Sequence, residues 1–384
     1  MSFIVRQLGR PTRHTKEATM NAAQLAANSG PVLESREVRW TYSASLPTIL
    51  AEAKCSLLVS TYQTGHVAVV SAPQGRLAVS FHTFERPMGL AVRPGWLVVG
   101  SRTQIWSLRN FPELAASIQP QGHHDACYLT RFSHFTGNIH AHELAWVAAR
   151  EGQPEVWIVN TLFSCLCAAS ASYSFAPRWS PPFITALAPE DRCHLNGLAV
   201  AGETPRYVTA LAETNTAQGW RTAKVGGGCV IDVLTNQIIC RGLIMPHSPR
   251  LAGDRLLLLH SGLGQLVTLD PMTGKLETIA EFPGYTRGLA IHGDLAFVGL
   301  STVRDSSSID GVPIAARRHE LKCGVAVVNL QTGQTIGAID FVSGIDELFD
   351  VQILPGTSAP FISGPFADKG TDSPVWIVPP PGNG

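Results

Sequence analysis

The sequence predicts an all-β fold, a six-bladed propeller, on three observations. One short phrase recurs six times along 384 residues, as RPMGLAV, HAHELAW, HLNGLAV, HSPRLAG, YTRGLAI and IDELFDV. Its anchor residues Leu90, Leu144, Leu198, Leu251, Leu289 and Phe349 lie 54, 54, 53, 38 and 60 residues apart. A period of that size around a strand-like core marks repeated small sheets rather than one continuous sheet. Between the anchors the chain reads as strand, turn, strand, with apolar or alternating runs broken by turn residues.

Each element follows in order. Residues 1–35 carry Arg6, Arg10, Arg13 and Lys16 without an apolar run, which predicts a flexible N-terminal tail before a single propeller domain over 36–384. ASLPTILAEA reads as a short helix. SLLVS, HVAVVSA and RLAVSF then read as strands separated by TYQTG and PQG, which carry turn chemistry. WLVVGS and TQIWSL follow the first anchor, VWIVN and CLCAAS the second, RYVTAL and GCVIDV the third. RLLLLHS and QLVTLD follow the fourth, LAFVGLS and GVAVVNL the fifth. A second short helix is expected at PEDRC. The last anchor has too little chain after it to build a blade, whereas residues 55–84 supply three strands with no anchor before them. Closure is therefore expected between 346–353 and the 55–84 region, which removes the open sheet edge. The generous spacing before Phe349 keeps seven blades as the alternative.

Composition limits the partners. Formal net charge is zero with His neutral, and charged residues make up 15% of the chain. Nucleic acid and anionic membranes reward a basic stripe, so neither is expected. No apolar run approaches the roughly 20 residues of a membrane span. The eight cysteines are dispersed and form no CxxC pair. They read as reduced, buried thiols of a cytoplasmic protein.

Equivalent places in successive blades of a closed propeller converge on its axis. Four residues before the anchors stand Arg86, His140, His194, His247, Tyr285 and Ile345. Two before them stand Met88, His142, Asn196, Pro249, Arg287 and Glu347. Neutral imidazole suits iron, copper and zinc and is a poor ligand for calcium. His140, His194 and His247 are therefore candidate ligands of a transition metal, with His142 as a fourth ligand or an acid/base group. Glu347 and Tyr285 join His142 as candidate catalytic groups. Arg86, Arg250, Arg287 and Asn196 are candidate substrate-binding residues, the guanidinium being suited to a carboxylate in bidentate fashion. The structural alternative is that the histidines bond to buried carbonyls and the arginines pair with Asp191, Glu143 or Glu347.

At these phrases the chain resembles a family of mostly bacterial conserved-hypothetical proteins, a domain of unknown function. The segments LVSTYQTG, RPMGLAV, HELAW, VNTLFSCLC, EDRCHLNGLA, PRYVTAL, MPHSPRL, PGYTRGLA, CGVAVVNL and ELFDV carry the likeness across residues 55–355. The resemblance implies a propeller and no particular activity. More distantly, the xGLA phrase is similar to that of gluconolactonase and NHL-type propellers. In those calcium hydrolases the axial ligands are Glu, Asn and Asp; the corresponding places here are largely His.

The expected function is a metal-dependent enzyme acting on an anionic small molecule or peptide at the axis, by redox chemistry ahead of lyase or hydrolase chemistry. The alternative is a non-catalytic propeller that binds a protein or peptide partner.

Overall fold

A computed structural model describes residues 37–148, 154–302, 309–366 and 377. The N-terminal tail expected over 1–35 lies outside the described residues. Val38–Pro365 forms one compact unit. It contains six sheets, so the count is six blades and not seven.

Numbered by their anchors, the blades start at the axis with Leu90–Arg93, Ala141–Val147, Leu195–Ala201, Pro246–Ala252, Tyr285–His292 and Asp350–Pro355. Each inner strand pairs antiparallel with the next strand outward. Blade 6 is the expected closure. Its inner strand comes from the C-terminal side and pairs with Cys55–Ser60, in register from Cys55 opposite Pro355 to Ser60 opposite Asp350. Two outer strands extend neighbouring blades. Arg39–Tyr42 pairs antiparallel on blade 5, and Pro360–Ser363 pairs parallel on blade 1. The loop before that last strand is held by Asp125, which accepts from the backbone N–H of Ala359 at 3.1 Å and from the Ser358 hydroxyl at 2.8 Å.

The uneven spacing has a local cause. Blade 4 runs through its strands on short turns. Blade 5 spends residues 302–322 between its second and third strands, including the 3-10 segment Pro313–Glu320. That insertion, not a seventh blade, fills the long interval before Phe349. The helix expected near the start spans Leu46–Glu52, with Pro47 in its first turn, where a missing N–H is harmless. PEDRC is not a helix but an irregular bend; Asp191 there adopts φ 46°, which leaves the helical region.

The repeated glycine of the phrase has a packing reason. A Cβ on Gly89 would lie 2.7 Å from the Cα of Glu143, and one on Gly288 would lie 2.6 Å from the backbone N of Val351. Inner strands converge, so only glycine lets their backbones approach that closely. Side chains then tie blade to blade. Leu90 N–H donates to Asp350 at 2.8 Å, Leu198 N–H to Glu143 at 3.2 Å, and Gly288 N–H to Ser248 Oγ at 3.1 Å. Farther out, separate apolar clusters fill the space between neighbouring blades, such as Leu58, Val67, Leu90 and Leu97 between blades 6 and 1. All eight cysteines are buried. Among the described residues no helix is long and apolar enough to cross a membrane.

Candidate functional site

A cavity of about 450 Å³ opens on the axis at the N-terminal ends of the inner strands. His140, His142, His194, His247, Tyr285, Arg287 and Glu347 all line it, as does Trp220 from the connection between the second and third strands of blade 3. The sequence repeat therefore does bring these side chains to one place. His140 and His194 each stand one residue before their strand, at φ 53° and 50°. Left-handed backbone is uncommon for a residue with a side chain, and it clusters at binding sites. The ring of His142 lies 4.9 Å from that of His194 and 6.2 Å from that of His247.

Hydrogen bonds assign each ring a role. His194 Nδ1 lies 3.0 Å from both carboxylate oxygens of Asp191, so it carries the hydrogen and donates. Trp220 Nε1 donates to the same carboxylate at 3.0 Å. In a neutral His194 ring, Nε2 then keeps the lone pair. His247 Nδ1 donates to the Met245 carbonyl at 3.0 Å and lies 3.1 Å from Ser261 Oγ. Burial first, then the charge of Arg287, holds His247 neutral, well below the usual histidine range. His142 is buried and held neutral in the same way, again with Arg287 as the second cause. His140 is lowered chiefly by burial. Burial pushes the Tyr285 phenol upward, so it remains a hydroxyl at neutral pH.

Arg221 lines the cavity, and Arg287 is a buried cation beside these imidazoles. Its guanidinium lies over Phe349, 3.4 Å from the ring centroid. Nη2 donates to His142 Nε2 at 2.6 Å, and Nη1 donates to Glu347 at 3.3 Å. Nε is buried without a hydrogen-bond partner.

Three expected substrate-binding residues stand elsewhere. Arg86 is exposed and does not line the cavity; its place there is taken by the apolar Met88. Arg86 has the same left-handed backbone as His140 and His194, at φ 48°, yet its side chain is exposed, and nothing in the backbone at that residue explains the difference. Asn196 is consumed structurally, donating to Pro246 O at 3.0 Å and accepting from Thr209 at 2.6 Å. Arg250 pairs with Glu143 and Asp350 and borders a separate cavity at the C-terminal ends of the inner strands. Among the described residues no group of three His, Cys, Asp or Glu is arranged to hold a metal ion. His142 is no spare ligand, because its Nε2 lone pair faces Arg287.

The repeat assigns no role to Trp220 or Thr161, and offers Asp191 only as a partner for an arginine. Asp191 stands three residues before His194, a spacing that signals a partner only once the bend between them is known. Trp220 arrives from a remote connection and leaves no signal in the repeat.

The family described as Domain of unknown function (DUF4915) matches residues 44–363. No curated protein matches. Among solved structures, the chain is similar to one titled as a nidogen/laminin complex, at 9% identity and TM-score 0.48, over 79% of this chain and 99% of that one. It is also similar to a protein of unknown function from Bacteroides caccae, at 8% identity and TM-score 0.46, over 78% of this chain and 98% of that one. Likeness at this level carries no functional weight.

Proposed function

The chain belongs to the DUF4915 family, a domain of unknown function, and from that premise we propose that its axial cavity binds a small carboxylate-bearing molecule and moves a proton on it. One observation carries the reading. Among the described residues, the buried Arg287 guanidinium has one carboxylate partner, the partly exposed Glu347, and it shares the cavity with an imidazole whose Nδ1–H is held by Asp191. Arg287 supplies charge-assisted hydrogen bonds for an anion. His194 Nε2 accepts the proton or returns it, while Asp191 sets its tautomer and stabilises the imidazolium that forms. Trp220 fixes Asp191 in turn. The Tyr285 hydroxyl and the aromatic walls keep the reacting end dry and offer one more donor.

The test is a panel of small carboxylates with the corresponding amides, followed by thermal shift and by deuterium uptake from D₂O. At least one carboxylate should raise Tm where its amide does not. Arg287→Met should abolish the shift. His194→Gln should spare binding and abolish uptake. Binding that survives Arg287→Met sinks the proposal. Binding without uptake removes its chemical half and leaves a non-catalytic propeller.

A second reading, a transition metal on His140, His194 and His247, is favoured by one feature. Imidazoles that ligate metals commonly donate their other N–H to a carboxylate or carbonyl, as His194 and His247 do here. Iron, copper or zinc retained by tag-free protein, and lost in His194→Ala, would establish it.

A further inference from the structure

We infer that His142 is the positioning residue for Arg287, and that Thr161 locks its ring in the one tautomer able to do this. The inference rests on Arg287 being the group that holds the anion. Thr161 has a single hydroxyl hydrogen, and it goes to the Leu195 carbonyl at 2.6 Å. Toward His142 Nδ1, 2.9 Å away, the same oxygen can offer only a lone pair. Nδ1 must therefore carry the ring hydrogen. The other end of the ring requires the same answer independently. A guanidinium only donates, and Arg287 Nη2 lies 2.6 Å from Nε2, so Nε2 must hold a lone pair. The opposite tautomer would set N–H against N–H at one end and lone pair against lone pair at the other.

The chain of bonds spans three blades. Arg287 belongs to blade 5, His142 and Thr161 to blade 2, and Leu195 opens blade 3. Phe349, next to the inner strand of blade 6, covers one face of the guanidinium and packs 4.7 Å from the His142 ring. His142 and Thr161 are both buried. The choice of an imidazole has a chemical meaning. A carboxylate at this place would orient Arg287 equally well and cancel its charge. A neutral acceptor orients the cation and leaves the charge for a ligand. Without that acceptor the guanidinium is free to close on Glu347, now at a long 3.3 Å, and to withdraw from the cavity.

The experiment needs no ligand for its first half. Protein labelled with ¹⁵N-histidine and ¹⁵N-arginine reports the His142 tautomer through two-bond couplings and the Arg287 guanidinium through rotation about its Cζ–Nη bonds. Wild type should show His142 protonated on Nδ1 and slow Nη rotation. The isosteric Thr161→Val should lose the fixed tautomer and speed the rotation, and Thr161→Ser should restore both. Benzoate titrated by calorimetry should bind about tenfold more weakly to Thr161→Val, the scale of one buried hydrogen bond. Thr161→Ser and His142→Gln, which keep a hydroxyl and a neutral acceptor, should bind as wild type. A wild-type ring protonated on Nε2, or Arg287 rotation unmoved by Thr161→Val, overturns the inference whether or not benzoate binds. The expected spectra with no benzoate binding to wild type leave the positioning intact and count against the anion reading instead.

Discussion

Arg250 and Arg287 stand in adjacent blades, one and two residues before their anchors, and their side chains are almost equally buried, at 17% and 13% exposure. Their surroundings differ completely. Arg250 meets two buried carboxylates, Glu143 and Asp350, which also accept backbone N–H groups of Leu198 and Leu90. Arg287 meets one half-exposed carboxylate and a neutral imidazole. Burial alone does not decide what a charged residue is for. An arginine enclosed by fixed carboxylates joins blades, whereas one held by a neutral acceptor keeps a charge to offer.

The largest expected contrast is in stability. Arg250→Met leaves two carboxylates buried without a cation and should cost about 3–5 kcal/mol, the usual penalty for breaking a buried pair from one side. Arg287→Met leaves Glu347, which already reaches water, and the Nε2 lone pair of His142 without a donor, and should cost about 1–2 kcal/mol. Urea unfolding of both variants checks this, and equal losses would erase the distinction between the two sites.

The pH dependence should also split by region. Burial pushes the Glu143 carboxyl up to about 7, with the neighbouring Asp350 charge adding to it against the opposing pull of Arg250. The folded state therefore binds more protons than the unfolded chain between the ordinary carboxyl value and about pH 7. This contribution is fully present below that ordinary value and is lost as pH rises to about 7. His142 and His247 act with the opposite sign. Their lowered values mean the folded state binds fewer protons, so stability is present above the ordinary histidine value of 6.5 and is lost as pH falls below it. Glu143→Gln should reduce the first slope, to which Asp350, also raised by burial, adds with the same sign, and leave the second. A stability–pH curve unchanged by that substitution would show that Glu143 does not titrate in this range.

The smallest effect concerns Glu347. If it only accompanies Arg287 until a ligand arrives, Glu347→Gln should tighten benzoate binding about threefold, since a half-exposed ion pair is worth about 0.7 kcal/mol. Weaker binding would instead give Glu347 a direct part in holding the ligand.

The blade count, the closure and the meeting of four histidines were legible because they depend on a repeat. Position within the phrase maps onto position around the axis, whatever the connections do. The roles of the side chains were not legible, because they depend on partners from unrelated parts of the chain. Thr161 lies just past the second strand of blade 2, Asp191 at a bend and Trp220 in a connection. None of these shares the repeat, yet they fix the tautomers of His142 and His194. Arg86 and Asn196 show the converse. They occupy the right places in the phrase, but one is exposed outside the cavity and a pair of hydrogen bonds uses up the other.

The closing blade has a consequence for the timing of folding. The bond from Asp350 N–H to Ser60 Oγ spans 290 residues. On a ribosome adding roughly 5–20 residues each second, Cys55–Ser60 would wait roughly 15–60 s for the strand that completes its sheet. Throughout that interval its apolar edge is a template for any other unpaired strand, including the same edge on a neighbouring nascent chain. The ring cannot form progressively from its first blade. Blades 2 to 5 can be made in order, and blade 1 then lacks only its outer strand Pro360–Ser363, but the sixth sheet joins early strands to nearly the last, so a chain cut short before Asp350 keeps an open edge however well its other blades have packed.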